Sequence, residues 1–278
     1  SDLQQAGSRL RGKVTEAPYK GTGGAAVDQL VATNAQKRTT RYPAITPMDT
    51  QSDRRWVYPS DYDWSDWFDK IDGLRMLIDP QSKYAENARA SMMRAIDDEI
   101  IAAFFATAKT GVQGATNTTF PASQQVSASE GATGATGMNV EKLKAAMQIL
   151  LANEAWAPES GMRINVAIKA KQNRNLMDEI QMISGDYNAD KPMTQSGLLM
   201  SWGSFDFIHT ERLTQNGSSQ DRCPVWVKDG MHLGVWQDFT NDITQRKDLA
   251  GLPWQVYQYL TVGATRLEEK KVVEIPCA

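Results

Sequence analysis

An apolar stripe recurs at every fourth position between residues 81 and 108, and it is the strongest periodic pattern in the chain. The stripe consists of Tyr84, Ala88, Met92, Ile96, Ile100 and Phe104. Residues four apart lie on one face of an α-helix, and neither glycine nor proline interrupts this segment. The pattern predicts a helix over 81–108, which at about 1.5 Å per residue is roughly 40 Å long and can serve as the beam of a domain.

Apolar spacings of three and four also predict shorter helices. The first covers 64–77, where the apolar positions are Trp64, Trp67, Phe68, Ile71, Leu74 and Leu77. The second covers 140–153, where Asn139 fits an N-cap and the apolar face is Val140, Leu143, Ala146, Met147 and Leu150. A third helix is expected over 171–183.

Strand patterns dominate the second half of the chain. We expect strands at 163–168, 205–209, 224–228, 230–235, 254–268 and 271–275. The last two strands are expected to form a hairpin. Between the predicted helices, residues 109–137 are mostly small and polar, which favours a flexible or edge loop. A beam helix combined with strands from distant parts of the chain indicates the α+β class.

The first 63 residues lack helical spacing. Residues 1–35 are polar and glycine-rich, so we expect either an arm that gains order only against another surface or a frayed terminus without a role. Residues 36–63 contain three prolines, which forbid a continuous helix. Segments around 39–42 and 54–58 predict the strands of a long, poorly buried hairpin. A loop of this length is uncommon in a compact domain unless it acts elsewhere.

Composition narrows the classes of partner. The 278 residues carry a net charge of -3, so no overall basic excess favours nucleic acid or an anionic membrane surface. No run of 18 apolar residues occurs and the first residues lack a signal-peptide core, so we expect no membrane partner. Cys223 and Cys277 alone cannot build a disulfide framework, which fits a reducing compartment.

Catalytic motifs are missing from the sequence. It contains no GxxxxGK[ST] phosphate loop and no GxSxG elbow, and His209 and His232 lack HExxH spacing. We therefore predict no catalytic residue, no metal site and no cofactor.

Two acidic groups need their own interpretation. The run Asp61, Asp63, Asp66, Asp69 and Asp72 raises a metal site or a glycosidase pair as an alternative, but its spacing favours a solvated or salt-bridging helix face. The consecutive residues 97–99, Asp-Asp-Glu, point in different directions on the long helix, so they cannot converge on one metal ion. These three are expected to be able to pair with arginines of neighbouring chains.

The only concentrated basic segment lies in the predicted hairpin. Its charged and aromatic members are Lys37, Arg38, Arg41, Arg54, Arg55, Trp56 and Tyr58. Cations beside aromatic rings suit stacking on nucleic-acid bases, but arginine and aromatic residues are also enriched where proteins contact each other. A long two-stranded loop is marginally stable alone and gains stability by lying on another subunit. We favour inter-subunit contact through these residues and keep nucleic-acid binding as the alternative.

Two motifs carry a resemblance to a known family. DPxSxYAxNAxxxMxRAxDDEIIAA begins at Asp79, and GATRxEEKKVVEI ends at Ile275. Over nearly the whole chain from about Gln4, the sequence resembles the Hong Kong 97-like capsid proteins of tailed bacteriophages. The resemblance implies an N-terminal arm at 1–35, an extended loop over an adjacent subunit at 36–63, a peripheral domain at 64–160 and 236–278 with a spine helix at 81–108, and an axial domain at 161–235.

That resemblance also implies a function and partners. The chain is expected to be a major capsid protein that self-assembles as hexamers and pentamers into an icosahedral head around double-stranded DNA, which it holds without sequence specificity. Scaffold, portal and decoration proteins are possible further partners, the virion is its location, and the bacterial host cytoplasm is the place of assembly. An encapsulin-like nanocompartment shell and a carboxylate-dependent hydrolase are the alternatives. Covalent cross-linking is not expected, because Lys37 would be a donor by position only.

Overall fold

The computed structural model describes residues 5–21, 23–30, 33, 35–42, 44–45, 47–48, 50, 52–69, 80–179, 182 and 197–278. The α-helices in this part of the chain are α1 (Pro80–Phe105), α2 (Val140–Ala152) and α3 (Ala170–Met177). The first strands are β1 (Thr15–Pro18), β2 (Ala25–Leu30), β3 (Ser52–Val57), β4 (Ser60–Phe68), β5 (Ala108–Thr110) and β6 (Thr116–Thr118). The later strands are β7 (Ile164–Ile168), β8 (Ser201–Trp202), β9 (Phe205–His209), β10 (Asp221–Val227), β11 (Met231–Gln245), β12 (Trp254–Arg266) and β13 (Val272–Cys277).

The described strands form three sheets. The first has the order β1-β11-β12-β4, the second β13-β10-β7-β9-β8, and the third, a small one, β2-β3-β5-β6. A long antiparallel hairpin of β11 and β12 occupies the centre of the first sheet. Helix α1 covers one side of that sheet, where the Gln258 amide donates to the Ala85 carbonyl at 3.2 Å and the rings of Phe68 and Tyr84 stack 5.8 Å apart.

The long helix confirms the strongest pattern in the sequence. Its fourfold stripe is buried over five of the six predicted positions, Ala88, Met92, Ile96, Ile100 and Phe104. The helix ends before residue 108 because Ala108–Thr110 pairs with β3 and β6 as a strand. Arg266 also donates to the carbonyls of Phe104 and Ala106 at 2.7 and 3.0 Å, and these belong to the terminal carbonyls that have no partner within a helix.

Most of the other helix and strand predictions are confirmed in existence and type. The Asn139 side chain caps α2 by accepting from the Lys142 backbone N–H at 2.8 Å. Helix α3 begins where predicted but ends at Met177. Residues 180, 181 and 183 at the predicted end lie outside the described residues.

The helix predicted over 64–77 is wrong for its first residues. Ser60–Phe68 is a strand that pairs along its length with β12, and 70–77 lie outside the described residues. Tyr62 and Trp64 alternate with exposed Asp61 and Asp63, and this twofold period decides the structure. The spacing of three between Trp64 and Trp67 fits a helix equally well, and pairing with β12 selects the strand.

The hairpin predicted near residue 40 uses a different first strand. Residues 39–42 form no strand, and β3 pairs antiparallel with β2, from Ala25↔Val57 to Leu30↔Ser52. The first strand of the hairpin is the run AAVDQL, which follows the glycines at 23 and 24 and carries apolar residues that favour a strand. The strand pairing therefore crosses the expected boundary between arm and loop.

Two further expectations about pairing are wrong. Strand β13 does not form a hairpin with β12, because it pairs with β10 in the second sheet and all its six residues are buried there. Residues 109–137 are not simply a flexible loop: β5 and β6 extend the small sheet, and the Val126 N–H donates to the Glu274 carbonyl at 2.9 Å. Contacts distant in sequence decide both cases.

The first residues of the arm lie on their own chain rather than awaiting another surface. Leu10 and Val14 are buried, and β1 pairs parallel with β11 from Thr15↔His232 onward. At the end of β1, the Tyr19 hydroxyl lies 2.8 Å from His232 Nε2. The expectation that the arm gains order only against another surface is therefore wrong for residues 5–19.

Burial lowers the pKa of His232 below its ordinary value of about 6.5. The unfolded chain therefore takes up a proton before the folded chain does, and the free energy of unfolding should fall as the pH drops below about 6.5. We expect urea midpoints of the unassembled protein to decrease over this range, and the His232→Gln variant to lose that part of the decrease. An unchanged slope in the variant would count against the buried, neutral imidazole.

Three consecutive carboxylates on α1 bind three different segments of the same chain. Asp97 accepts from the backbone N–H groups of Arg9 and Leu10 at 3.0 and 3.1 Å, and from the hydroxyl of Ser8 at 2.6 Å. Asp98 forms an ion pair with Arg212, and Glu99 accepts from the hydroxyl of Tyr62. Each of the three therefore has a partner within its own chain, and pairing with arginines of neighbouring chains stays a prediction.

Candidate assembly surface

The β2–β3 hairpin ends in a segment that its own chain leaves exposed. We define the loop end as the described residues between 36 and 48, and all of them are exposed. Tyr42 is 84% and Ile45 is 96% accessible. Large apolar side chains this accessible, several within one short segment, are typical of a surface that contacts another molecule.

Three cations lie beside these apolar residues. Lys37, Arg38 and Arg41 are exposed, and within the described residues none of them forms an ion pair. Arg38 donates to the Arg41 carbonyl at 2.6 Å, and the Arg41 guanidinium lies 5.6 Å from the centre of the Tyr42 ring. An exposed cation–π contact contributes only about 0.5–1 kcal/mol. Because this contact is weak, the Arg41 guanidinium remains able to pair with a carboxylate of another molecule.

The base of the hairpin is fixed to the body of the chain. Arg54 pairs across the strands with Asp28 at 2.5 Å. Arg55 is buried and donates to Glu269 at 2.7 Å, while the Trp56 indole N–H donates to the Gly111 carbonyl at 2.8 Å. Of the seven residues predicted for inter-subunit contact, Arg54, Arg55 and Trp56 thus have side-chain partners in the body or the paired strand of their own chain, and Tyr58 at the end of the base is half-exposed.

A buried charge cluster lies under this base. Arg55 and Arg266 both approach Glu269, and burial lowers the pKa of Arg266. The adjoining cavity of about 540 Å³ is lined by charges of both signs, which are Asp53, Arg55, Glu154, Glu268, Lys270 and Lys271. The mixed lining gives no preference for an anion or a cation, so we interpret the cluster as the attachment of the hairpin rather than as a ligand site.

The first sheet presents an acidic and aromatic surface on the side away from α1. Asp61, Asp63 and Trp67 of β4 point to this side. Residues that pair directly across neighbouring strands lie on the same side of a sheet, so their partners on β12 and β11 belong to this surface as well. We define the acidic aromatic face as Asp61, Asp63, Trp67, Asp242, Tyr257 and Tyr259. Trp67 is 50% accessible, and the rings of Tyr257 and Tyr259 lie 5.9 Å apart.

The carboxylates of this face have no cationic partner in the described part of the chain. Asp61 accepts from the Thr261 hydroxyl at 2.7 Å, and no ion pair involves Asp61, Asp63 or Asp242 there. Asp61, Asp63 and Asp66 of the predicted acidic run lie on a strand rather than a helix, and Asp69 follows the end of that strand. Asp66 lies on β4 opposite Val256, on the other side of the sheet, and Asp72 lies outside the described residues.

The histidines and cysteines have structural surroundings. The His209 Nε2 bonds the Leu199 carbonyl at 2.8 Å, and Cys223 and Cys277 are free and buried on neighbouring strands. A hydrogen bond with Cys277 and burial raise the pKa of the Cys223 thiol, which keeps it protonated. Among the described residues, no three side chains of the metal-binding types come together, and no helix is apolar enough over sufficient length to cross a bilayer.

Sequence reasoning missed the part of the acidic aromatic face contributed by β11 and β12. Tyr257 and Tyr259 alternate along the chain, so an exposed strand face was detectable. Their position beside Asp61 and Asp63 was not, because it depends on pairing between residues almost 200 positions apart, such as Asp63↔Tyr259.

Comparison with known proteins gives one family and a set of similar folds. Residues 1–278 match the family model described as phage capsid protein. The capsid of Cyanophage P-SCSP1u is similar with a TM-score of 0.72 and 12% identity, over 100% of this chain and 90% of that chain. The capsid of Cyanophage Pam1 is similar with a TM-score of 0.70 and 10% identity, over 98% and 92%.

A capsid of a native GTA particle is also similar, with a TM-score of 0.64 and 12% identity over 97% of this chain and 90% of that chain. No curated protein matches. At such low identities the likeness establishes the fold, and it confirms the α+β class predicted from the sequence.

Proposed function

Since the chain belongs to the phage capsid protein family, we infer that it acts as a major capsid protein, which forms the shell of a phage head. We propose that the extended hairpin of each copy binds the adjacent copy in that shell. The observation that supports this role is the loop end. It combines exposed Tyr42 and Ile45 with three cations that form no ion pair among the described residues, on a base that Arg55 and Trp56 fix to the body. Burying such residues on a second copy removes apolar area from water.

The division of the chain follows the same proposal. We assign 64–160 and 236–278 to a peripheral domain built around α1, and 161–235 to an axial domain. The pairing of β2 with β3 supports a hairpin that starts at Ala25, which leaves a shorter arm before it. Within the contact set, we assign the inter-subunit role to Lys37, Arg38, Arg41, Arg54 and Tyr58, whereas Arg55 and Trp56 hold the hairpin base.

The remaining partners follow from the resemblance to the Hong Kong 97-like capsids. We propose assembly as hexamers and pentamers in the bacterial host cytoplasm, with scaffold, portal and decoration proteins as partners. The shell would enclose double-stranded DNA. A net charge of -3 supports confinement of DNA without adhesion, because the phosphate backbone is anionic.

Nucleic-acid binding by the loop end is the second candidate function. Arg41 and Tyr42 lie together and exposed, as residues that stack on bases do. We rank this role lower because the chain as a whole carries no basic excess. A carboxylate-dependent hydrolase has no support of this kind, since Asp61 and Asp63 share an open strand face rather than a cleft.

The test compares two variants of the purified protein under assembly conditions. Tyr42→Ser with Ile45→Ser should abolish shells and capsomers in negative-stain images while the far-UV circular dichroism stays that of the parent. Val112→Ser changes a similarly exposed apolar residue outside the loop end and should assemble normally. Normal shells from the loop-end variant, or a parent protein that stays monomeric under every condition, would overturn the proposal.

A further inference from the structure

The charges of the chain point to the surface that receives the loop end. We propose that Lys37, Arg38 and Arg41 of one copy dock on the acidic aromatic face of a second copy. This inference rests on the proposed function, in which the loop end lies on an adjacent copy. It adds the receiving surface and the force that selects it.

The two surfaces carry charges of opposite sign. Three cations lie in the loop end, and three carboxylates, Asp61, Asp63 and Asp242, lie on the face. Within the described residues, none of the six forms an ion pair. Exposed charges of one sign that have no internal partner create a field that attracts the opposite surface and repels its own kind.

The apolar parts of the two surfaces also match. The loop end offers Tyr42 and Ile45, and the face offers the neighbouring rings of Tyr257 and Tyr259 and the half-exposed Trp67, whose ring centre lies 5.4 Å from the Arg246 guanidinium. Aromatic residues and arginine supply most of the binding energy in protein interfaces, where they sit at the desolvated centre. Within the loop end, the Arg41 guanidinium already lies beside the Tyr42 ring, and the rings of the acidic aromatic face offer a second copy's arginines the same kind of contact.

The geometry favours contact between copies over contact within one. Strand β3 leads from the loop end at Ser52 to the body at Val57, a length of roughly 17 Å at about 3.3 Å per residue. The Arg55 and Trp56 contacts hold this strand to the body. Strand β4, which carries Asp61, begins only three residues after Val57, on the far side of the turn at Pro59. The face itself is free of the core, because α1 covers the opposite side of the sheet.

Charge reversal provides a test in which one variant rescues another. Asp61→Lys with Asp63→Lys should lower the initial rate of shell formation at least about tenfold, and Arg38→Glu with Arg41→Glu should do the same. A chain that carries all four substitutions should regain the parent rate within about threefold. In that chain the loop end is acidic and the receiving face is basic, so the two surfaces again have opposite charges. Rates are followed by light scattering and the products by electron microscopy.

The matched control changes the same charge elsewhere. Asp66→Lys lies on β4 but on the other side of the sheet, and Glu159 is an exposed carboxylate in a distant turn, so Asp66→Lys with Glu159→Lys should assemble at the parent rate. Urea unfolding of every unassembled variant separates lost docking from lost folding. Raised salt should slow the parent and the fourfold variant alike.

The outcomes distinguish this inference from the function on which it rests. If the acidic-face variant assembles normally while Tyr42→Ser with Ile45→Ser does not, the loop end contacts another surface and the inference is wrong. Failure of the fourfold chain to assemble, although folded, also overturns the pairing. Salt-sensitive binding of a short DNA duplex, lost on Arg38→Glu with Arg41→Glu and accompanied by normal assembly of that variant, replaces it with the nucleic-acid role.

Discussion

Replacing Arg266 by methionine is expected to lower the free energy of unfolding by about 3–5 kcal/mol, the usual cost of removing one partner from a buried charged pair. Arg266 is 1% accessible, and its guanidinium joins the end of α1 to the buried cluster at Glu269. Methionine fills similar volume but leaves the carbonyls of Phe104 and Ala106 without this donor and removes one of the two cations beside Glu269. Urea unfolding of the unassembled protein measures the loss.

Arg54→Met is the matched control for this experiment. Arg54 also pairs with a carboxylate, Asp28, but both side chains are half-exposed, so the expected loss is below about 1 kcal/mol. Equal losses from the two variants would show that burial of the Arg266 cluster does not determine its contribution.

Asp97→Ala is expected to lower the free energy of unfolding by about 3 kcal/mol and to release the arm from α1. The carboxylate is 0% accessible and accepts from two backbone N–H groups and the Ser8 hydroxyl. Without it the buried Leu10 N–H and the two part-buried donors lose their acceptor, so the arm should detach before the rest of the chain unfolds. Trypsin then cleaves at Arg9, Arg11 and Lys13, and mass spectrometry of brief digests reports the sites.

The neighbouring carboxylate serves as the comparison for the arm. Asp98 pairs with Arg212 at the surface, so Asp98→Ala should cost less than about 1 kcal/mol and leave the arm protected. Rapid cleavage of the arm in the parent protein, or in both variants equally, would contradict the role assigned to Asp97.

The sequence predicts elements whose pattern is local and strong. Helix α1 is an example, because its stripe of fourfold spacing admits one structure. Residues 64–68 of β4 fit a helix as well as a strand because two tryptophans three apart fit either period, and only the long-range pairing with β12 decides. The partner of β3 was misplaced for the same reason, since β2 lies in a glycine-rich segment that has little pattern of its own.

The candidate surface divides in the same way. The cations at 37–41 were recognisable as a group because they are close in sequence, and the structure shows them exposed. Arg55 belongs to the same group by sequence, yet it is buried against Glu269, more than 200 residues away. The acidic aromatic face draws on three strands, and no local pattern brings Asp242 beside Tyr257 and Ser65.

The three carboxylates of residues 97–99 turn one stretch of α1 into a common anchor. They attach the arm, the segment around Arg212 and strand β4 to less than one turn of helix. Any bending of the helix at this point must displace all three attached segments together, so they move as one rigid unit. We therefore expect copies at differently curved positions of a shell to keep this region alike and to differ mainly in the hairpin.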